Sequence, residues 1–366
     1  MSGLRRLAAL GLAVATSLVA VGGAPAGADT GGAEPLAGDV AVLGPADSPS
    51  GADCTALSFP VRQFAGATRV LQVYGELCSQ GAVDASTPVQ VLIHGGTYNH
   101  NYWDWPFQPE RYSYVRAATR AGFVTLNVDR LGYGRSDHPN PLTLDFRVAA
   151  YVTHQLVQYL REGAVGPAFE TVVLNGHSMG GLTAQREAAA YHDVDAVIVT
   201  GVGHDFAATG IAQVADKFYP ALLDPKFPGL TLPAGYLTTV PGNRLRTFIE
   251  PGEVDPAIAE TEERLKDTLS PTELTGITLD SYDPAITRAI TAPVLYALGQ
   301  HDLIWCPTTR DCNTDPQPAR EHGYYAEGTS YTSYVVQGAG HSVNMNTVAP
   351  DFYAETFRWL AGQGIG

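Results

Sequence analysis

The chain has 366 residues, 45% of them hydrophobic and 16% charged, a globular composition long enough for one large α/β domain with an insertion. Its 22 basic and 37 acidic residues leave a formal net charge of −15, and no Lys/Arg cluster supplies the basic face that nucleic acid or an anionic membrane surface would need. A small-molecule partner is expected, and no nucleic acid; the pattern specifies no oligomeric state.

At the N-terminus, Arg5 and Arg6 precede an apolar run from Leu7 to Val21 that has the length of a signal core and is too short for a membrane span. Ala26-Gly27-Ala28 fits an A-x-A cleavage site. The expectation is a signal peptide over 1–28, a secreted mature chain, and no stable membrane insertion after its removal. Residues 29–50, rich in Gly, Ala, Pro, Asp and Ser, read as a flexible lead-in. Four cysteines, Cys54, Cys78, Cys306 and Cys312, favour disulfides in an exported chain. Three pairings are possible, and closeness in sequence favours Cys54–Cys78 and Cys306–Cys312.

Two alternating runs, Leu57–Phe64 and Arg69–Leu77, predict a hairpin with Cys54 and Cys78 at its outer ends. Strand and helix patterns then alternate. Val89–Ile93 and Phe123–Val128 read as strands on either side of a helix over Tyr112–Arg120. Leu144, Val148, Val152, Leu156 and Leu160 mark a helix by their spacing. Thr171–Leu174, a helix from Leu182 to Tyr191, and Ala196–Val199 follow. Val294–Leu298, Tyr331–Val336 and a closing helix over Asp351–Leu360 complete the series. This order implies a mostly parallel, twisted sheet with helices on both faces. The proline-rich stretch 206–290, with one acidic helical run over Pro256–Leu269, reads as an inserted cap, which leaves 51–205 and 291–366 as the core.

The strongest chemical signal is Gly176-His177-Ser178-Met179-Gly180, between a strand and a helix. A nucleophile on so sharp a turn sits in strained backbone, and the flanking glycines permit the close approach that the turn demands. The chain resembles the α/β-hydrolase superfamily from about residue 55 onward, its capped members such as proline iminopeptidases and epoxide hydrolases most of all. Four further stretches carry the resemblance: His94-Gly95-Gly96 as an oxyanion loop, Asp129-Arg130-Leu131-Gly132-Tyr133-Gly134-Arg135-Ser136 as a D-x-x-G-x-G-x-S turn, Gly299-Gln300-His301-Asp302 at the acid position and Gly340-His341 at the histidine position. The resemblance implies an α/β-hydrolase fold and a Ser, acid, His order along the chain.

It also implies roles. A serine hydroxyl needs a base near neutral pH, and His341 would supply it, with Asp302 orienting the ring. The N–H of Met179 and that of Gly96 or Thr97 would hold the oxyanion. Asp205 competes with Asp302 as the acid, and His322 with His341 as the base. His94, His177, Asp129, Arg130 and His301 are read as structural. His100, His138, His154, His192 and His204 show no ligand cluster, so no metal and no cofactor is expected. The aromatic stretch after the oxyanion loop offers Tyr98, Tyr102 and Trp103, together with Trp305, as an apolar substrate wall; packing against the cap is the competing explanation.

A serine nucleophile implies an acyl-enzyme. The leading function is hydrolysis of a carboxylic ester, lactone or thioester. Aminopeptidase action of the proline-iminopeptidase kind, or acyl transfer, is the enzymatic alternative. The aminopeptidase would need an anchor for the substrate amine among Glu250, Glu253, Glu260, Glu262 and Glu263. A secreted binding protein on the same fold is the non-enzymatic alternative.

Overall fold

The computed structural model describes residues 35–204, 214, 216–227, 232–249, 251–281, 283–306 and 308–366. The expected signal peptide, Asp205 and Glu250 lie outside these. Among the described residues no helix is long and apolar enough to cross a membrane.

The predicted hairpin forms with shifted ends, as β2 (Asp53–Val61) and β3 (Leu71–Ser79). Cys54 and Cys78 face each other inside its ladder, at disulfide distance. The expected flexible lead-in needs correction over its last part. Ala41–Pro45 form β1, an edge strand antiparallel to β2. Its side chains are mostly exposed, so it lacks the apolar alternation by which a strand is recognised in sequence.

The remaining core strands are β4 (Val89–Ile93), β5 (Val124–Val128), β6 (Val172–His177) and β7 (Ala196–Thr200). After the insertion, which holds β8 (Phe218–Pro220) and β9 (Leu237–Thr239), come β10 (Val294–Gly299) and β11 (Tyr331–Val336). Among the described residues one nine-stranded sheet runs β1-β2-β3-β5-β4-β6-β7-β10-β11, and β8 and β9 pair separately. From β5 to β11 the pairing is parallel. β4, β5, β6, β7 and β10 are buried throughout, which explains their unbroken apolar runs.

The long helices are α1 (Tyr114–Arg120), α2 (Phe146–Arg161), α3 (Met179–Tyr191) and α7 (Ala349–Gly362), with α4 (Pro256–Leu265), α5 (Pro271–Ser281) and α6 (Pro284–Arg288) in the insertion. Asp145 caps α2 by accepting the N–H groups of Arg147 and Val148. The chain moves one way in the sheet from β4 to β5 and the other way from β5 past β4 to β6. Right-handed crossovers therefore place α1 and α2 on opposite faces. The order reverses at β4, and the crevice beyond the carboxyl ends of the strands at such a point is where open α/β sheets bind ligands.

Candidate active site

Register brings the loops together before any side chain does. Ile93 of β4 pairs with Gly176 of β6, His177 with Thr200 of β7, and Gly299 of β10 with Val336 of β11. The loops leaving these ends carry Gly95 and Gly96, Ser178, Gly201, Asp302 and His341.

Ser178 has φ 53° and ψ −119°, a region that side chains rarely occupy. Its N–H donates to Thr200 O at 2.7 Å, and its own carbonyl accepts the N–H groups of Gly181 and Leu182. A Cβ on Gly176 would strike the backbone of Gly180, and one on Gly180 would strike the Ile93 carbonyl. α3 starts directly after the turn at Met179, three residues earlier than the apolar pattern suggests. The Met179 N–H therefore lies at the positive end of a helix beside the serine.

His341 Nε2 lies 3.1 Å from Ser178 Oγ, and His341 Nδ1 lies 2.8 Å from Asp302 Oδ2. Asp302 is fully buried, and its other oxygen accepts the N–H groups of Ile304 and Trp305. The acid and histidine loops are sewn together by His301 N–H to Ala339 O, while Cys306 and Cys312, at disulfide distance, close the acid loop. His322 lies away from this group, in a turn where its ring stacks on Tyr331.

A cavity of about 40 Å3 opens at the serine. Its wall is mainly apolar and includes Leu182, Phe248, Leu274, Ile277, Ile304 and Trp305, with Gly96, Met179 and His341 beside Ser178. Of the four aromatics expected on it, Trp305 alone is there. Tyr98, Tyr102 and Trp103 are buried and do not line it. The Tyr102 ring stacks on His177 with centroids 4.5 Å apart, and Trp103 packs edge-on against Tyr102 and Tyr114. Gly96 lines the cavity, whereas Thr97, at φ 58°, turns its hydroxyl and carbonyl toward the insertion.

His177 and His94 are held neutral. Burial and the neighbouring His341 keep the His177 ring well below its usual range. Burial and the Arg130 charge bring His94 down to about 3. His94 Nδ1 lies 2.8 Å from Gly95 O, and its Nε2 accepts the Arg130 N–H, so it fastens the loop after β4 to the turn after β5. Arg130 also pairs with the buried Glu273 of α5, to which the Tyr133 hydroxyl donates at 2.6 Å.

Several site residues escaped the sequence. Arg244 donates to Thr97 Oγ1 at 2.8 Å and to Glu262 Oε2 at 2.5 Å. Glu262 in turn accepts the Tyr98 hydroxyl, which lies 2.9 Å from Ser342 Oγ. Gly201, at φ 61°, backs onto two histidines at once: a Cβ there would come within 2.9 Å of His177 Cε1 and 3.0 Å of His341 Cε1. A glycine directly after a buried strand was the available sign.

Two comparisons bear on this arrangement. The model of the Alpha/beta hydrolase family matches residues 90–356. Solved structures with the same fold include a monoacylglycerol lipase of Paleococcus ferrophilus, at 19% identity and TM-score 0.52 over 80% of this chain and 99% of that one. A thermophilic esterase of Thermogutta terrifontis gives 16% and 0.55 over 84% and 98%, and a bromoperoxidase of Bacillus anthracis 17% and 0.55 over 83% and 99%. No curated protein shows significant sequence similarity. At these identities the structural likeness speaks for the fold alone, whereas the family match spans most of the chain. The protein belongs to the alpha/beta hydrolase family.

Proposed function

We propose that the protein is a secreted serine hydrolase that cleaves a carboxylic ester with a short acyl chain. The observation that carries this reading is the unbroken line from Asp302 through His341 to Ser178 Oγ, opening on an apolar cavity. Ser178 Oγ attacks the acyl carbon while its proton passes to His341 Nε2. Asp302 steadies the imidazolium, and the N–H groups of Met179 and Gly96 hold the oxyanion. The imidazolium protonates the departing alcohol, and a water activated by the same ring then frees the acid. The segment 206–290 acts as the cap.

The cavity at the serine is small and its wall is apolar, which suits a short acyl chain. The solved lipase and esterase of the same fold favour ester chemistry. The acidic anchor that an aminopeptidase needs finds no support: none of the described candidates lines the cavity, and Glu262 and Glu263 are engaged by Arg244 and Lys266. The apolar run at the N-terminus and two cysteine pairs at disulfide distance favour secretion.

A fluorophosphonate probe with mass spectrometry tests the reading. Label on Ser178, lost in Ser178→Ala, is the expected result. Well-folded protein that takes no label would overturn it and bring the binding-protein reading forward.

A further inference from the structure

A second group of chemically capable side chains lies outside this cavity. His154 projects from α2, Glu187 from the last turns of α3, and Asp193 follows the end of α3. His154 Nδ1 and carboxylate oxygens of Glu187 and Asp193 all lie within 4.8 Å of one another. The imidazole nitrogen is 2.8 Å from Asp193 Oδ2 and 3.9 Å from Glu187 Oε1.

Glu187 makes this more than a chance meeting of acids. It is fully buried, and among the described residues no donor reaches either of its carboxylate oxygens; Asp193 Oδ1 lacks one as well. Buried polar groups in folded proteins are almost always satisfied, and a buried carboxylate without a donor has to be neutralised by a proton or by a cation.

We propose that His154, Glu187 and Asp193 form a divalent-cation site of the zinc type. Ligands about 2.0–2.2 Å from a tetrahedral zinc stand about 3.3 Å from one another. The two separations found here fall on either side of that spacing, so small side-chain movements would bring three protein ligands around one ion and leave the fourth position to water. The surroundings already orient the ligands. The Tyr191 ring stacks on His154 at 3.9 Å and 12°. Gln158 Nε2 donates to Asp193 Oδ2 at 2.7 Å, and an Arg161 nitrogen donates to the Asp193 carbonyl at 2.9 Å. The C-terminal end of α3 adds its negative partial charge. His154 and Asp193 are partly exposed, which gives the ion a way in.

The imidazole selects against calcium, which takes six to eight oxygens, and for zinc and its neighbours. A bound ion would brace α2 against the end of α3 opposite Ser178. The histidines gave no hint of it in the sequence, because the ligands come from two helices.

The competing state is a proton shared between Glu187 and Asp193; burial and the Asp193 charge do push the Glu187 carboxyl well above its ordinary value. Zinc uptake by the chelator-stripped full chain, followed by calorimetry, metal content and thermal melting, separates the two. The expected result is one zinc per chain and a zinc-dependent rise in melting temperature that calcium does not reproduce. Affinity should fall at least tenfold in Glu187→Gln and in the partly exposed Asp193→Asn, which guards against a folding failure of the buried variant. Stripped wild type that takes up no zinc, or variants that bind it as tightly as wild type, would overturn the site in favour of the shared proton.

Discussion

The Arg244 guanidinium donates to the Thr97 hydroxyl at 2.8 Å and lies over the Tyr98 ring, tying the insertion to the two residues that follow the oxyanion loop. Arg244 and its partner Glu262 are both buried. Removing one member of such a pair strands the other charge, at a cost of about 3–5 kcal/mol, whereas replacing both by apolar groups is often close to neutral. Arg244→Met should therefore lower stability by an amount in that range and reduce kcat, because Thr97 loses its anchor. The double variant Arg244→Met with Glu262→Leu should recover most of the stability but not the turnover. Urea melts and kcat for an acetate ester check this; a single variant as stable as wild type would refute the tie.

Gly201→Ala addresses the histidine directly. The position has φ 61°, and the new Cβ would press on His177 Cε1 and His341 Cε1. Thr200 meanwhile holds the Ser178 N–H, so the serine cannot follow a displaced ring. A misplacement of about 1 Å costs on the order of 100-fold in rate. The expected outcome is a fall of that size in kcat with a stability loss of about 1–3 kcal/mol from the strained backbone. An unchanged kcat in a variant that melts lower would show that the ring has room to move.

Asp302→Asn tests the acid. The substitution keeps the shape but offers an N–H where Oδ2 now faces His341 Nδ1, which drives the ring into the wrong tautomer. The expected loss in kcat is about 10^4-fold, with fluorophosphonate labelling of Ser178 slowed in parallel. Labelling at the wild-type rate would remove Asp302 from the relay.

These sites differ in how they announce themselves along the chain. The turn at Ser178 is steric and local, so glycines at 176 and 180 record it within five residues. The loops after β4, β10 and β11 follow strands that were legible along the chain, but the sheet order that gathers them was not. Arg244 and Glu262 are a different case. Glu262 sits in an acidic run that reads as a solvated helix face, yet Ile258, Thr261 and Glu262 form the buried side of α4. Its partners lie 18 residues away at Arg244 and 164 away at Tyr98, and no local pattern encodes such pairings. The aromatics after Gly96 likewise signalled burial correctly but not which side of the wall they occupy. A stack on His177 and an interface with a substrate require the same residue types.

The His100–Asp129 pair predicts a pH dependence of stability. Burial pulls the His100 ring down, but the Asp129 carboxylate, aided by Glu76, outweighs it and raises His100 to about 9. Burial pushes Asp129 up, and His100 more than offsets this, so Asp129 lies below its usual range. A histidine raised on folding contributes stability that is complete below the unfolded value of about 6.5 and is lost as pH climbs through about 9. The upper limit of that contribution is about 3 kcal/mol. The Asp129 contribution is present above the ordinary carboxylate value and disappears as pH falls below it. The melting temperature of wild type minus that of His100→Gln should thus shrink between pH 7 and pH 10. A constant difference across that range would mean that His100 is neutral in the folded chain.

The cavity makes the last prediction, on substrate length. Leu274 and Ile277 of α5 line the pocket together with Ser178, Phe248 and Trp305, and the cavity there is small. A longer acyl chain must displace apolar side chains that are already packed, and overpacking of this kind costs about 1–3 kcal/mol. Wild type should therefore cleave p-nitrophenyl acetate and butyrate well and the octanoate at least tenfold less efficiently in kcat/KM. Ile277→Trp should remove most of the butyrate activity while sparing acetate, and Ile277→Ala should improve the octanoate. Each shift is one of transition-state binding in the acyl pocket, so kcat/KM must move while the rate of labelling by a small fluorophosphonate stays within a few-fold. Octanoate cleaved as fast as acetate by wild type would mean that the acyl chain leaves the serine by another route, and the wall residues named here would lose their role in specificity.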